Sequence, residues 1–284
     1  WELLWRGETG LKHFSREELI AKGVSERDID HPHYVPITGV LPDIAAFDRK
    51  LFQLSAAEAR LLDPQQRLML ETAWQALEQA GYGDCSEPRP FGVFAGAGIS
   101  RYMLMHLGLN NLGTKQAEAV NPMQALLAND KDYLATRVAY HLNLTGPALA
   151  VQTACSTSLV AVHLACESLR RGECELALAG GVTLDPDPQG YLHLPGGIYS
   201  ADGACRPFEA EATGIVGGSG VALVVLKPLA RAQADGDVIL GQILSSAINN
   251  DGKQKVGFTA PGITGQVAVL RTALTRAGIR PAQI

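Results

Sequence analysis

The stretch VQTACSTSLVAVHLACESLRRGECELALAGGV, residues 151–182, decides how the whole chain is read. It continues a short apolar run, ALAVQ (148–152), that reads as a buried strand. Small and hydroxyl residues follow, and residues 156–171 then read as a helix whose first turns are almost wholly apolar or small. Arg170 and Arg171 suit the negative end of that helix, and Gly172 terminates it. ELALAGG (175–181) is the next buried strand. Strands without polar alternation, separated by a helix, imply a sheet covered on both faces.

Cys155 falls at the junction of strand and helix. Unpaired backbone N–H groups and the positive end of the helix dipole favour a thiolate there, the reactive form of the side chain. Ala154 and Ser156 leave room for a substrate. Free cysteine is also among the most buried residue types, so two readings stand open on these residues alone: a nucleophile, or a small core residue. A cysteine nucleophile usually works with a histidine. His163 is the nearest, but it lies eight residues along the same helix, roughly 12 Å away and about 80° around the axis. It reads as a buried helix residue bonded to a carbonyl. His13, His31, His33, His106, His141 and His193 have no setting tuned for chemistry. His31 and His33 near Asp28 and Asp30 read as a surface loop rather than a metal site.

Working outward, WELLWRG and FSREELIAKG are short helices, the second capped by Ser15, and ERDIDHPHYVP is a loop. Ser55 and Glu58 form a capping-box pattern; Asp63–Pro64 starts a further helix, which Gly81 stops. Leu70, Ala73, Trp74 and Leu77 give that helix its apolar stripe. FGVFAG (91–96) is a buried strand, and residues 100–128 resist assignment. DKDYLATRVAYHLNL is a helix closed by Gly146 and Pro147. GVALVVL and DVILGQILSSA are further strands, and TGQVAVLRTALTRAGI is a last helix ending at Gly278. The glycines of AGAG (95–98) and GGSG (217–220) do not fit phosphate-loop spacing and read as close backbone packing.

The 284 residues are 46% hydrophobic and 19% charged, which is globular composition. A net charge of −5 with interspersed signs points to neither nucleic acid nor a membrane surface. The longest apolar region, around GIVGGSGVALVVL, is too short and too broken to span a bilayer. Five widely spaced cysteines without a CxxC pair suggest no zinc site and no disulfide framework, and so a reducing, cytoplasmic setting. The chain starts at Trp1 and finishes at GIRPAQI, where a helix hands over to a strand, so both ends read as cut.

Residues 151–182 closely resemble the active-site segment of β-ketoacyl synthase (ketosynthase) domains from modular polyketide synthases and hybrid peptide–polyketide synthases. LLDPQQRLMLETAWQALEQAGY, NDKDYLATRVAYHLNLTGP, GGIYSADGACRPFEAEATGIVGGSGVALVVLKPL and INNDGKQKVGFTAPGITGQ agree in order, so the resemblance covers essentially the whole chain. It implies an α/β, thiolase-like fold of layers α-β-α-β-α and a homodimer. Residues 1–236 would be the N-terminal half without its first strand, and 237–284 the start of a mostly absent C-terminal half. It implies that Cys155 accepts an acyl group from the phosphopantetheine of an acyl carrier protein. A malonyl-type extender is then decarboxylated and attacks the acyl thioester, with no cofactor or metal bound directly. Neighbouring synthase domains such as an acyltransferase are implied partners. Met123 and Gln124, and Phe258 and Thr259 of GFTAP, are further candidates for substrate contact.

The resemblance also implies two histidines in HGTGT-like and SNIGH-like motifs, with a nearby lysine; neither motif occurs in this sequence. The opening IAIVGM-like strand is also missing. Gln152 stands where many relatives carry aspartate, and Ala204 where histidine is common. Two other readings are a thiolase-fold condensing enzyme using coenzyme A and a non-catalytic dimerising scaffold. DPQQR and CRPFEA favour the carrier-protein type over the first.

Overall fold

Capping chemistry sets where the first helices begin. The structure, a computed structural model, describes residues 2–105 and 121–284. Its helices are α1 (Glu2–Trp5), α2 (Arg16–Ala21), α3 (Glu26–Ile29), α4 (Ala56–Leu61), α5 (Pro64–Gln79), α6 (Arg101–Met105), α7 (Pro122–Asn129), α8 (Leu134–His141), α9 (Thr157–Arg170), α10 (Leu229–Asp235) and α11 (Ile263–Ala277). Its strands are β1 (Leu11–His13), β2 (Tyr34–Val35), β3 (Ile37–Gly39), β4 (Phe91–Ala97), β5 (Ala148–Ala150), β6 (Leu176–Thr183), β7 (Tyr191–Leu192) and β8 (Gly220–Leu226). Ser15 and Ser55 each accept a bond from the N–H three residues on, and Glu18 and Glu58 reach back to the serine N–H groups. Both capping boxes therefore satisfy donors that a helix start would leave unpaired. Asp63 Oδ1 accepts the Gln65 N–H at 2.8 Å, which starts α5 as the Asp–Pro pair predicts.

The described residues divide into two units. The first gathers those within Trp1–Thr72, Ala97–Leu134 and Val182–Ala222. It holds two antiparallel ribbons, β1–β3 and β2–β7. Here Gly39 N–H donates to the Gly217 carbonyl and Ser219 N–H to the Gly39 carbonyl. A Cβ on Gly39 would lie 2.9 Å from the Gly218 Cα, so this part of GGSG is close backbone packing, as expected.

The second unit gathers Ala73–Gly96, Ala135–Gly181 and Leu223–Ile284. Most of a four-stranded sheet, ordered β5–β4–β6–β8, lies in it, with β4 and β5 parallel and Phe94 opposite Leu149. Phe94, Val151, Ala161, Ala165, Cys174, Ala177 and Ala179 form a buried cluster. Ala161 and Ala165 of α9 are wholly covered. Small residues at this spacing let a helix lie close on a sheet.

Several expectations change. ERDIDHPHYVP is not a loop throughout: it contains α3, capped by the Ser25 hydroxyl accepting from the Asp28 N–H, and β2. Residues 131–133 form a 3-10 turn before α8, which ends at His141, ahead of Gly146; Asn143 takes a left-handed φ of 53° there. Only 148–150 of ALAVQ is strand, and Leu149 is 49% exposed rather than buried. Among the described residues β5 is an edge strand, with a neighbour on one side only. DVILGQILSSA forms no strand. Its apolar residues alternate toward solvent, Val238 at 88% and Leu240 at 97% exposed against 43% for Ile239. No described strand pairs with the segment, and a strand exists only by pairing. Side chains instead hold it along α11: Ser245 donates to the Ala273 carbonyl, and Arg276 of α11 donates to the Ser246 carbonyl. Residues 106–120, part of the stretch that resisted assignment, and His106 with them, lie outside the described residues.

Candidate active site

The turn between β5 and α9 is backbone-strained at one residue. Ala154, the residue before Cys155, has φ +54°. A non-glycine residue rarely adopts this left-handed conformation, and it costs on the order of 1 kcal/mol or more. Residues 154–156 form a single 3-10 turn that runs directly into α9. Ser156 N–H donates to the Thr153 carbonyl at 3.4 Å, and Thr157 N–H to the Ala154 carbonyl. The Cys155 N–H takes part in neither bond.

The turn is possible because Gly96 has no side chain. A Cβ there would sit 2.1 Å from the Val151 oxygen and 2.3 Å from the Thr157 methyl carbon. Strand β4 therefore approaches the turn more closely than any other residue would allow. This is the close packing expected of the AGAG glycines.

Cys155 is exposed and free, unlike the buried cysteine of the alternative reading. Its sulfur has no hydrogen-bond partner among the described residues. Burial raises the thiol pKa of Cys166, Cys174 and Cys85 above the ordinary value. Those three thiols are disfavoured as nucleophiles. Cys205 is the other exposed cysteine. The first turn of α9 is also more open than expected, with Leu159 75% exposed.

His163 is buried, as expected, but its Nδ1 lies 2.8 Å from the Ser246 hydroxyl rather than on a carbonyl. The ring thus ties α9 to residues 237–250 and does not address Cys155. Two cavities of this unit, about 420 and 310 Å³, share Glu167 and Arg276; His163 lines the smaller. Neither is lined by Cys155.

Met123 and Gln124 are exposed in the first turn of α7, Met123 at 58%. Phe258 is 94% exposed under the Lys255 ammonium, and Thr259 is exposed beside it. Gln152 is exposed, and Ala204 N–H donates to the Asp202 carboxylate. Among the described residues no group of three or more His, Cys, Asp or Glu side chains could hold a metal. His31 Nδ1 instead accepts the His33 N–H at 3.1 Å. No described helix is long and apolar enough to cross a membrane.

The sequence marks Cys155 and the close packing of AGAG, but not the contacts that shape the turn. Gly96, Thr153, Ser156 and Thr157 all bear on it. Thr153, Ser156 and Thr157 are visible as the hydroxyl residues flanking the cysteine in TACST, and Gly96 as a glycine of AGAG, but which contacts they make depends on the turn.

A cysteine presented on a strained turn between a strand and a helix has the geometry of a nucleophile elbow in an α/β protein. The family description Beta-ketoacyl synthase, N-terminal domain, matches residues 1–232, and Beta-ketoacyl synthase, C-terminal domain, matches 240–284. The chain belongs to the β-ketoacyl synthase family.

It is 46% identical over 283 residues to a phenolphthiocerol/phthiocerol polyketide synthase of Mycobacterium tuberculosis, covering 98% of this chain and 19% of that one. It is 44% identical over 262 residues to the erythronolide synthase EryA2 of Saccharopolyspora erythraea, covering 90% and 7%. Ketosynthase twelve from the bacillaene polyketide synthase of Bacillus amyloliquefaciens superposes with a TM-score of 0.89 at 35% identity, over 100% of this chain and 49% of that one. The fold is therefore the thiolase-like α/β fold, and the chain spans about half the length of the solved ketosynthases it matches.

Proposed function

We propose that this chain is part of a ketosynthase domain of a modular polyketide synthase and that Cys155 is its acyl acceptor. The observation that carries the reading is the strained turn, which holds an exposed, unpartnered thiol at the start of α9. The thiolate attacks the carbonyl of an acyl thioester carried on phosphopantetheine. A carbon–sulfur bond to Cys155 forms, the bond to the pantetheine sulfur breaks, and the released thiolate takes a proton. The Cys155 N–H, outside the bonds of the turn, is the natural donor to the oxyanion. The enzyme thioester stays electrophilic enough for attack by the carbanion of a decarboxylated malonyl-type extender.

That second step needs groups to stabilise the enolate. With neither histidine motif in the sequence, the chain alone is acylated without completing condensation. The partners are an acyl carrier protein, a second copy in a homodimer, and adjoining synthase domains such as an acyltransferase, in the cytoplasm. The acyl group arrives on the carrier's phosphopantetheine, and no cofactor is bound directly. Residues 1–236 and 237–284 are proposed as the parts from the two halves of the domain; the two family matches support that division. Met123, Gln124, Phe258 and Thr259 are proposed contributors to substrate binding.

The test is intact-mass analysis after incubation with an acyl–carrier thioester or with acyl-coenzyme A. One acyl adduct, gained faster from the carrier and absent from Cys155→Ala, is expected. Preference for coenzyme A would favour a coenzyme A-dependent condensing enzyme. An equal adduct on Cys155→Ala, or none on either protein, would favour a scaffold. Release of β-ketoacyl product by this chain alone would overturn the view that it stops at acylation.

A further inference from the structure

We infer that Thr157 is the positioning residue of the Cys155 turn and that its hydroxyl and its methyl carry separate tasks. The inference rests on Cys155 as the nucleophile. Thr157 Oγ1 accepts the Thr153 N–H at 2.9 Å, a bond that reaches back across the strained residue. Ser156 Oγ donates to the Thr153 carbonyl at 2.9 Å and lies 3.0 Å from the Thr153 hydroxyl. Both backbone groups of Thr153 are therefore held by side chains from the far side of Ala154. Thr153 and Ser156 are exposed and Thr157 half-buried, so water could satisfy these groups. Satisfying a buried donor is not the reason for the bonds. What they do is close a ring around Ala154 and hold its φ at +54° against relaxation to an ordinary conformation.

The methyl of Thr157 faces the other way, onto Gly96 of β4. Packing and hydrogen bonding thus come from one residue and can be separated by substitution. Thr157→Val keeps a methyl toward Gly96 and loses the acceptor. Thr157→Ser keeps the acceptor and loses the methyl.

The experiment measures the pH–rate profile of carbamidomethylation of each cysteine by peptide mass spectrometry, and the rate of acyl transfer to Cys155. Cys205 serves as an exposed reference, and Cys166 and Cys174, both buried, report whether the fold survives. Thr157→Val is expected to slow acylation of Cys155 about tenfold and to change its alkylation profile, because misplacing a reacting atom is costly. Thr157→Ser is expected to stay within about twofold of wild type on the same grounds. Cys205 should not change in either variant. Wild-type rates in Thr157→Val, or a loss confined to Thr157→Ser, overturns the proposal. If Thr157→Val exposes Cys166 and Cys174, Ser156→Ala decides: a slowed Cys155 supports the ring and an unchanged rate overturns it. Acylation of Cys155→Ala at the wild-type rate would instead overturn Cys155 as the nucleophile.

Discussion

Replacing Gly96 with alanine should disrupt the turn that carries Cys155. The added methyl would lie 2.1 Å from the Val151 oxygen and 2.3 Å from the Thr157 methyl carbon. Carbon atoms settle at about 3.5 Å or more, so the second contact alone demands a shift of roughly 1.2 Å. Neither neighbour is free to give it. Val151 N–H is bonded to the Ala95 carbonyl at 3.0 Å, and Thr157 Oγ1 holds Thr153. Overpacking of this kind costs about 1–3 kcal/mol. One sacrificed hydrogen bond adds about 1 kcal/mol, for a total of about 3 kcal/mol. Urea denaturation measures the stability, and alkylation of Cys155 relative to Cys205 measures the turn. Gly241→Ala is the control, because nothing lies within 4 Å of the position and its φ is ordinary. It should stay within about 0.5 kcal/mol of wild type. A Gly96→Ala variant as stable as that control, with Cys155 reacting normally, would refute the close-approach argument.

Other perturbations probe the rest of the chain. Iodoacetamide at pH 8 should modify Cys155 and Cys205 first, since both are exposed, while Cys166 and Cys174 react only as urea unfolds the chain; early modification of Cys174 would contradict its burial. Bonds from the Ser200 hydroxyl, then from Arg206 and the Ala204 N–H, pull the Asp202 carboxyl down to about 2. A depressed carboxylate stabilises fully above its unfolded value, near 3.8, and loses that contribution as pH falls toward 2. Asp202→Asn should therefore flatten the acid side of a Tm-against-pH curve between about pH 4 and 2, and an unchanged curve would count against the loop geometry. Lys227 is held by Asp235 and Asp237 at 2.6 Å each and by the Tyr82 hydroxyl. Desolvation opposes its charge, but these bonds outweigh it and raise its pKa. Its contribution is present in full below about pH 10.4 and lost as pH rises through the folded value. Lys227→Met should lower Tm at pH 8, by an amount that shrinks at strongly alkaline pH; a Tm difference independent of pH would refute the ion cluster.

Elements whose cause is local were legible in advance. Ser15, Ser55–Glu58 and Asp63–Pro64 carry their helix starts in adjacent residues, and all three form. The uninterrupted apolar runs of β4 and β6 declared buried strands, and both are buried over most of their length. DVILGQILSSA failed for the opposite reason. Its alternation is strand-like, but no described strand pairs with it, and strand formation is a property of two segments. The burial expected of Leu149 failed similarly, because among the described residues sheet order places β5 at an edge, while Val151 just beyond it is buried.

The sequence alone determined the family, through a resemblance that runs the length of the chain, and placed Cys155 at a strand–helix junction. The junction depends on residue types in neighbouring positions, which the chain records directly. The sequence also excluded His163 as partner, because helix geometry separates residues eight apart. Only the tertiary structure decided that Ala154 bears the strain and that Gly96 makes room for the turn. It alone placed the Thr157 hydroxyl and methyl on opposite sides, and gave His163 the Ser246 hydroxyl. Each of these joins residues remote in the chain or sets a backbone angle, and both follow from packing rather than from spacing.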